Sequence, residues 1–149
     1  MLCRAIAMRV LARMIRRYRD LRSLTDIRDR FDYLKLGGQV GSSTFGFDRY
    51  LNQTFYKSRE WQQARQAVIL RDGGCDLGIE GYEIGRGLVV HHMNPITIDD
   101  VLARRDEIFD PEFLICVSDR THKAIHYGDA GLLPKEPVQR RAGDTCPWR

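Results

Sequence analysis

The chain holds 149 residues, with 24 Lys and Arg against 20 Asp and Glu, a formal net charge of +4. Its length suits one domain with an extension, and 43% hydrophobic with 30% charged residues at a mean hydropathy of −0.41 excludes a disordered or collagen-like chain. The longest apolar runs, such as Leu88-Val89-Val90, fall far short of the roughly 18 residues that span a membrane, so a soluble protein with no membrane partner is expected. Cys3, Cys75, Cys116 and Cys146 form no C-x-x-C pair, which argues against a disulfide framework or a thiolate zinc knuckle and for a cytoplasmic setting.

The basicity is concentrated at the start, where residues 1–30 carry nine Arg and three Asp. Leu2, Ile6, Val10, Met14 and Tyr18 recur every fourth position with Leu11 and Ile15 beside them, which predicts an amphipathic helix. Arg9, Arg13, Arg16 and Arg17 lie mainly on its other side. That face is either a solvated flank of a packed helix, a nucleic-acid phosphate contact or a membrane-surface helix. A second short helix follows, capped by Thr25 or Asp26 and ended by Gly37-Gly38. The stretch Gly37 to Gly46, with four Gly, two Ser and a Thr, reads as a linker. Ser58 then caps a helix through Trp61, Ala64, Ala67 and Val68 that stops at Asp72-Gly73-Gly74.

Beyond it the pattern becomes strand, loop, strand, helix. Leu88-Val89-Val90 is a β-type run ending in His91-His92, with Pro95 closing it off. Asp99 to Ile108 reads as a helical turn. Phe113 to Val117 is a second apolar strand, and Ser118 or Asp119 caps a helix through His122 to Tyr127 that Gly128 stops. The tail from Asp129 is loop-rich, with Pro134, Pro137 and Pro147.

All four histidines fall in this unit. His122 and His126 are four positions apart, so on a helix both rings leave the same face and can share one ion. Adjacent strand residues point to opposite faces, so one of His91 and His92 joins that pair and the other stays unligated, ready to take a proton from water. A closed structural site usually takes four protein ligands, commonly thiolates, and three imidazoles leave open positions suited to catalysis.

The segment Leu88-Val89-Val90-His91-His92-Met93-Asn94-Pro95, with Leu114-Ile115-Cys116-Val117-Ser118 and His122-Lys123-Ala124-Ile125-His126, resembles the HNH endonucleases, whose core is the ββα-metal (His-Me finger) fold. Phe55-Tyr56-Lys57-Ser58-Arg59-Glu60-Trp61 and Arg71-Asp72-Gly73-Gly74-Cys75 resemble the helix and turn that precede that core in phage-encoded members. The resemblance runs from Phe55 to Tyr127, about half of the chain. It implies that His91, His122 and His126 are metal ligands and that His92 is the catalytic base of metal-dependent DNA cleavage, with a phage terminase as a further partner. Three imidazoles favour Zn, Ni, Co or Mn over the all-oxygen shell of Mg. The family's middle Asn, which orients the base, falls at Phe113, with Asn94 and Asp110 the nearby polar residues. Gly78 stands where relatives complete a C-x-x-C knuckle with Cys75, so a second zinc is not expected.

The expected architecture is α+β, with a basic helical extension over 1–36, a linker over 37–54, a ββα-metal nuclease domain over 55–128 and a tail over 129–149. Arg59, Arg65, Arg120 and Lys123 are candidate DNA-backbone contacts, though each is more simply a surface charge. Phe55, Tyr56 and Trp61 are more simply core than base-stacking residues. The alternative function is a DNA-binding module whose metal is structural; an RNase or nuclease toxin is a third.

Overall fold

The computed structural model describes residues 14–36 and 49–134. They form a small mixed α+β protein with two antiparallel sheets of two strands each. The elements, in order, are α1 (Tyr18–Arg22), α2 (Ile27–Leu34), α3 (Arg49–Lys57), α4 (Arg59–Asp72), β1 (Cys75–Asp76), β2 (Tyr82–Glu83), β3 (Leu88–His92), α5 (Ile98–Leu102), β4 (Leu114–Ser118) and α6 (Asp119–Tyr127). None of the described helices is long and apolar enough to cross a membrane.

The strand pair β3–β4 is the centre. Val90 lies opposite Cys116, His91 opposite Ile115 and His92 opposite Leu114. Side chains alternate across a pleated strand, so the pair has two apolar faces to cover. One packs Val90, Leu114 and Cys116 against Phe55, Trp61, Ala64 and Val68 of α3 and α4. The other packs Ile115 and Val117 against Ile125 of α6 and against Leu21, Leu34 and Leu36 from the N-terminal segment. Through Leu21, Leu34 and Leu36, the described part of the basic extension packs against this face of the strand pair.

The helix boundaries follow capping chemistry. Asp26 accepts from the N–H groups of Arg28 and Asp29 at the start of α2. Ser58 accepts from Trp61 N at the start of α4, and Ser118 from Thr121 N at the start of α6. Gly73 and Gly128 end α4 and α6 with φ of 63° and 66°, left-handed values that a side chain would resist.

Three expectations differ from the structure. The predicted first helix lies mostly outside the described residues, and its described end departs from it: residues 14–17 are not helical, and α1 begins only at Tyr18. The N–H groups of Arg16 and Arg17 donate instead to Asn94 Oδ1 and Tyr33 Oη, each at 2.8 Å. The predicted linker over 37–54 gives way at its end to α3, which carries straight into α4 through the turn at Ser58; residues 37–48 lie outside the described residues. The β1–β2 pair was not expected, because two residues per strand show no periodicity.

The outer edge of β4 is closed by two carboxylates. Cys116 N donates to Asp72 Oδ2 at 2.8 Å and Ser118 N to Asp76 Oδ2 at 3.0 Å, while Leu77 N donates to Cys116 O at 2.9 Å. An edge strand's unpaired N–H groups would otherwise be open to another chain. Asp76 is fully buried, and it also accepts from Thr121 Oγ1 at 2.6 Å and Gly78 N at 2.9 Å. Thr121 precedes His122, so Asp76 fixes the first turn of the helix that carries two of the histidines.

Candidate metal centre

His91, His122 and His126 converge. One nitrogen from each lies within 4.8 Å of the others. The pairing follows from the fold: His91 is on the face of β3 that α6 covers, and four-residue spacing puts both α6 rings on the side facing it. His122 Nε2 and His126 Nε2 stand 3.1 Å apart. Around a tetrahedral ion with bonds of about 2.0–2.1 Å, neighbouring nitrogens would be separated by about 3.3 Å, so this pair already has the spacing that shared ligation needs.

The donor set fits a cation by a second test. His91 is 3% exposed, and its Nε2 is buried with no hydrogen-bond partner. A buried polar atom without a partner costs roughly 1–3 kcal/mol, a cost that coordination removes. All three rings are held in the neutral form that ligation requires. Burial pushes the pKa of His91 well below 6.5, helped by His122 and His126. Burial lowers that of His122 to about 4, with His126 adding to the effect and Asp119 opposing it. Burial also lowers that of His126.

His92 is on the opposite face and outside this group. Its ring stacks on Trp61, with centroids 5.1 Å apart at 20°, and lies 6.0 Å from the ring of Phe55. Its Nε2 is 2.9 Å from the carbonyl oxygen of Ile108. A carbonyl can only accept, so Nε2 carries the proton and Nδ1 keeps the lone pair. The unligated imidazole expected from strand alternation is thus packed against aromatic side chains, and burial lowers its pKa to about 4, opposed in part by the Ile108 carbonyl.

The other candidates fall as follows. Asn94 and Asp110 are both engaged elsewhere, Asn94 on the backbone of Arg16 and Asp110 as acceptor for Glu112 N at 2.8 Å. Arg120 and Lys123 are exposed on α6 beside the histidines, with Lys123 paired to Asp119 at 2.7 Å. Arg59 and Arg65 are on α4, which covers the other face of the strand pair. Phe55 and Trp61 are buried core, whereas Tyr56 is 43% exposed. Sequence reasoning missed Asp72 and Asp76, the carboxylates that hold β4 and α6 in place; nothing in their spacing distinguishes them from turn residues.

Comparison of the chain with protein-family models, curated proteins and solved structures found no significant match.

Proposed function

We propose that the protein is a metal-dependent DNA endonuclease in which β3, β4 and α6 act as a ββα-metal core. The observation that carries this reading is the convergence of His91, His122 and His126 from a strand and a helix, with the buried Nε2 of His91 left without a partner. Those three residues hold one divalent ion. Such an ion supplies Lewis-acid stabilisation of the charge that builds on a phosphodiester and its leaving oxygen.

His92 takes the part of the base. The Ile108 carbonyl holds its Nε2–H, so Nδ1 is the atom that receives a proton from the attacking water. Trp61 holds the plane of the ring by stacking. A backbone carbonyl does here what orientation of a base requires, which gives the chain a way to work with Phe113 where the resembling family has Asn. At neutral pH the ring is unprotonated and able to accept, though burial makes it a weak base.

The test is a supercoiled-plasmid nicking assay across Mn, Co, Ni, Zn and Mg. The wild-type chain nicks the plasmid, and His92→Ala lowers the rate by about 10²–10⁴, the usual contribution of a positioned base, while still holding the ion. Binding of duplex DNA by both proteins with cleavage by neither supports a binding module with a structural metal. Cleavage of RNA in preference to duplex DNA supports a ribonuclease.

A further inference from the structure

His91 comes from β3, whereas His122 and His126 come from α6, and three imidazoles share an ion only when they are held to within about 0.5 Å of its ligand geometry. Along the chain, β4 is the element that connects the two. A second tie, independent of β4, runs through residues 14–36.

It starts at Asn94, three positions beyond His91. Asn94 Oδ1 accepts from the N–H of Arg16 at 2.8 Å and Asn94 Nδ2 donates to the carbonyl of Arg16 at 2.9 Å, so the carboxamide grips both polar groups of one backbone residue. The side chain of Arg16 passes the tie on: Nε donates to Tyr33 O at 2.6 Å and Nη2 to Lys35 O at 2.9 Å. Leu36, the next residue, donates its N–H to Ile125 O at 3.0 Å, between His122 and His126. Apolar packing follows the same route, because Leu21, Leu34 and Leu36 share one buried cluster with Met93 beside the strand and Ile125 on the helix. A third anchor falls next to Asp76, where buried Arg30 donates Nη1 to Leu77 O at 2.9 Å. Asp76 pins the first turn of α6, which carries His122, and the Leu36 N–H pins the last, which carries His126.

We propose that Asn94 is a positioning residue of the metal centre, and that residues 14–36 are the brace through which it sets the placement of His91 against His122 and His126. The proposal rests on the metal reading and extends it to a segment that precedes the ββα-metal core. The brace favours the ion by holding the metal-free rings in place, and by reciprocity a bound ion holds the brace in place.

The test has two arms, both on the full-length chain. In the first, Co is titrated into EDTA-treated, desalted wild type and Asn94→Ala, with the visible spectrum of bound Co as readout and the melting temperature of the metal-free chains measured alongside. Asn94→Ala binds Co about tenfold more weakly and with an altered spectrum, the low end of what loss of a group that orients metal ligands costs. A role in stability alone would lower the melting temperature and leave affinity and spectrum unchanged. In the second arm, hydrogen exchange of the wild type is followed with and without Zn, and Zn slows exchange in peptides covering residues 14–36. Wild-type Co affinity and spectrum in folded Asn94→Ala, or exchange over 14–36 that bound Zn leaves unchanged, overturns the proposal while leaving the metal reading intact. If Asn94→Ala does not fold, the exchange arm decides alone. A wild-type chain that binds neither ion overturns both.

Discussion

His91 and His92 are neighbours on β3 and face opposite ways: His91 meets His122 and His126 at ring-centroid distances of 5.1 and 5.2 Å, while His92 stacks on Trp61 at 5.1 Å. One strand thereby serves two environments, a polar cluster under α6 and an aromatic box under α4. Substitution of either residue should leave the other's role readable.

His91→Ala removes the ligand supplied by the strand and leaves the α6 pair. If the three imidazoles hold a metal as proposed, its presence at 100 times its Kd raises the stability of the wild-type chain by about 2.7 kcal/mol. Thermal melts with Zn or Ni and with EDTA should show that gain in the wild type and in His92→Ala, and should lose most of it in His91→Ala.

Trp61 is 3% exposed and touches Phe55, Tyr56 and His92. Trp61→Ala should cost about 3–5 kcal/mol, the usual range for an aromatic removed from a core. Trp61→Phe, which keeps a ring under His92, should cost less and retain more cleavage than its loss of stability alone would allow. Denaturant unfolding and plasmid nicking measured on the same samples separate the two effects.

Asp76 accepts from Ser118 N, Thr121 Oγ1 and Gly78 N while fully buried. Asp76→Ala strands three donors, each costing roughly 1–3 kcal/mol, so a loss of at least about 3 kcal/mol is expected. Because Thr121 precedes His122, metal affinity should fall as well. Asp76→Asn, which keeps one acceptor oxygen, should lie between the two. Urea titration and metal titration report these losses.

Burial raises the Cys116 thiol from 9.0 to about 12, with the Asp72 carboxylate adding to the shift. The folded chain keeps the proton that the unfolded chain releases. Stability from this group is therefore complete below pH 9.0 and is lost as pH rises from there toward about 12. Cys116→Ala should flatten the fall in stability over that window. Iodoacetamide at pH 9 should modify Cys75, which is partly exposed, and spare Cys116 until the chain is unfolded.

The parts of the fold legible in the sequence are those written as local patterns. Ser58 and Ser118 mark helix starts, Gly73 and Gly128 mark ends, and Leu88-Val89-Val90 marks a strand, because caps and β-branched runs act over a few residues. Four-residue helix spacing also pairs His122 with His126, and strand alternation admits one of His91 and His92 to them; that it is His91 is what the resemblance to the HNH endonucleases implies. What stayed hidden depends on partners far along the chain. Asn94 reads as a turn residue beside Pro95, yet its amide holds Arg16, 78 positions away. Asp72 reads as a helix end, yet it closes the edge of β4 at Cys116, 44 positions on. The surroundings of His92 were hidden for the same reason, since Trp61, Phe55 and the Ile108 carbonyl come from separate elements.

The proposed function stands or falls on whether His91, His122 and His126 share a single cation. Native mass spectrometry of the purified chain after loading with Zn or Ni measures this directly. One ion per chain is expected in the wild type and in His92→Ala, and none retained by His91→Ala, His122→Ala or His126→Ala at the same free-metal concentration. A wild-type chain that holds no ion, or a His91→Ala chain that holds it as tightly, would rule out a three-histidine metal centre.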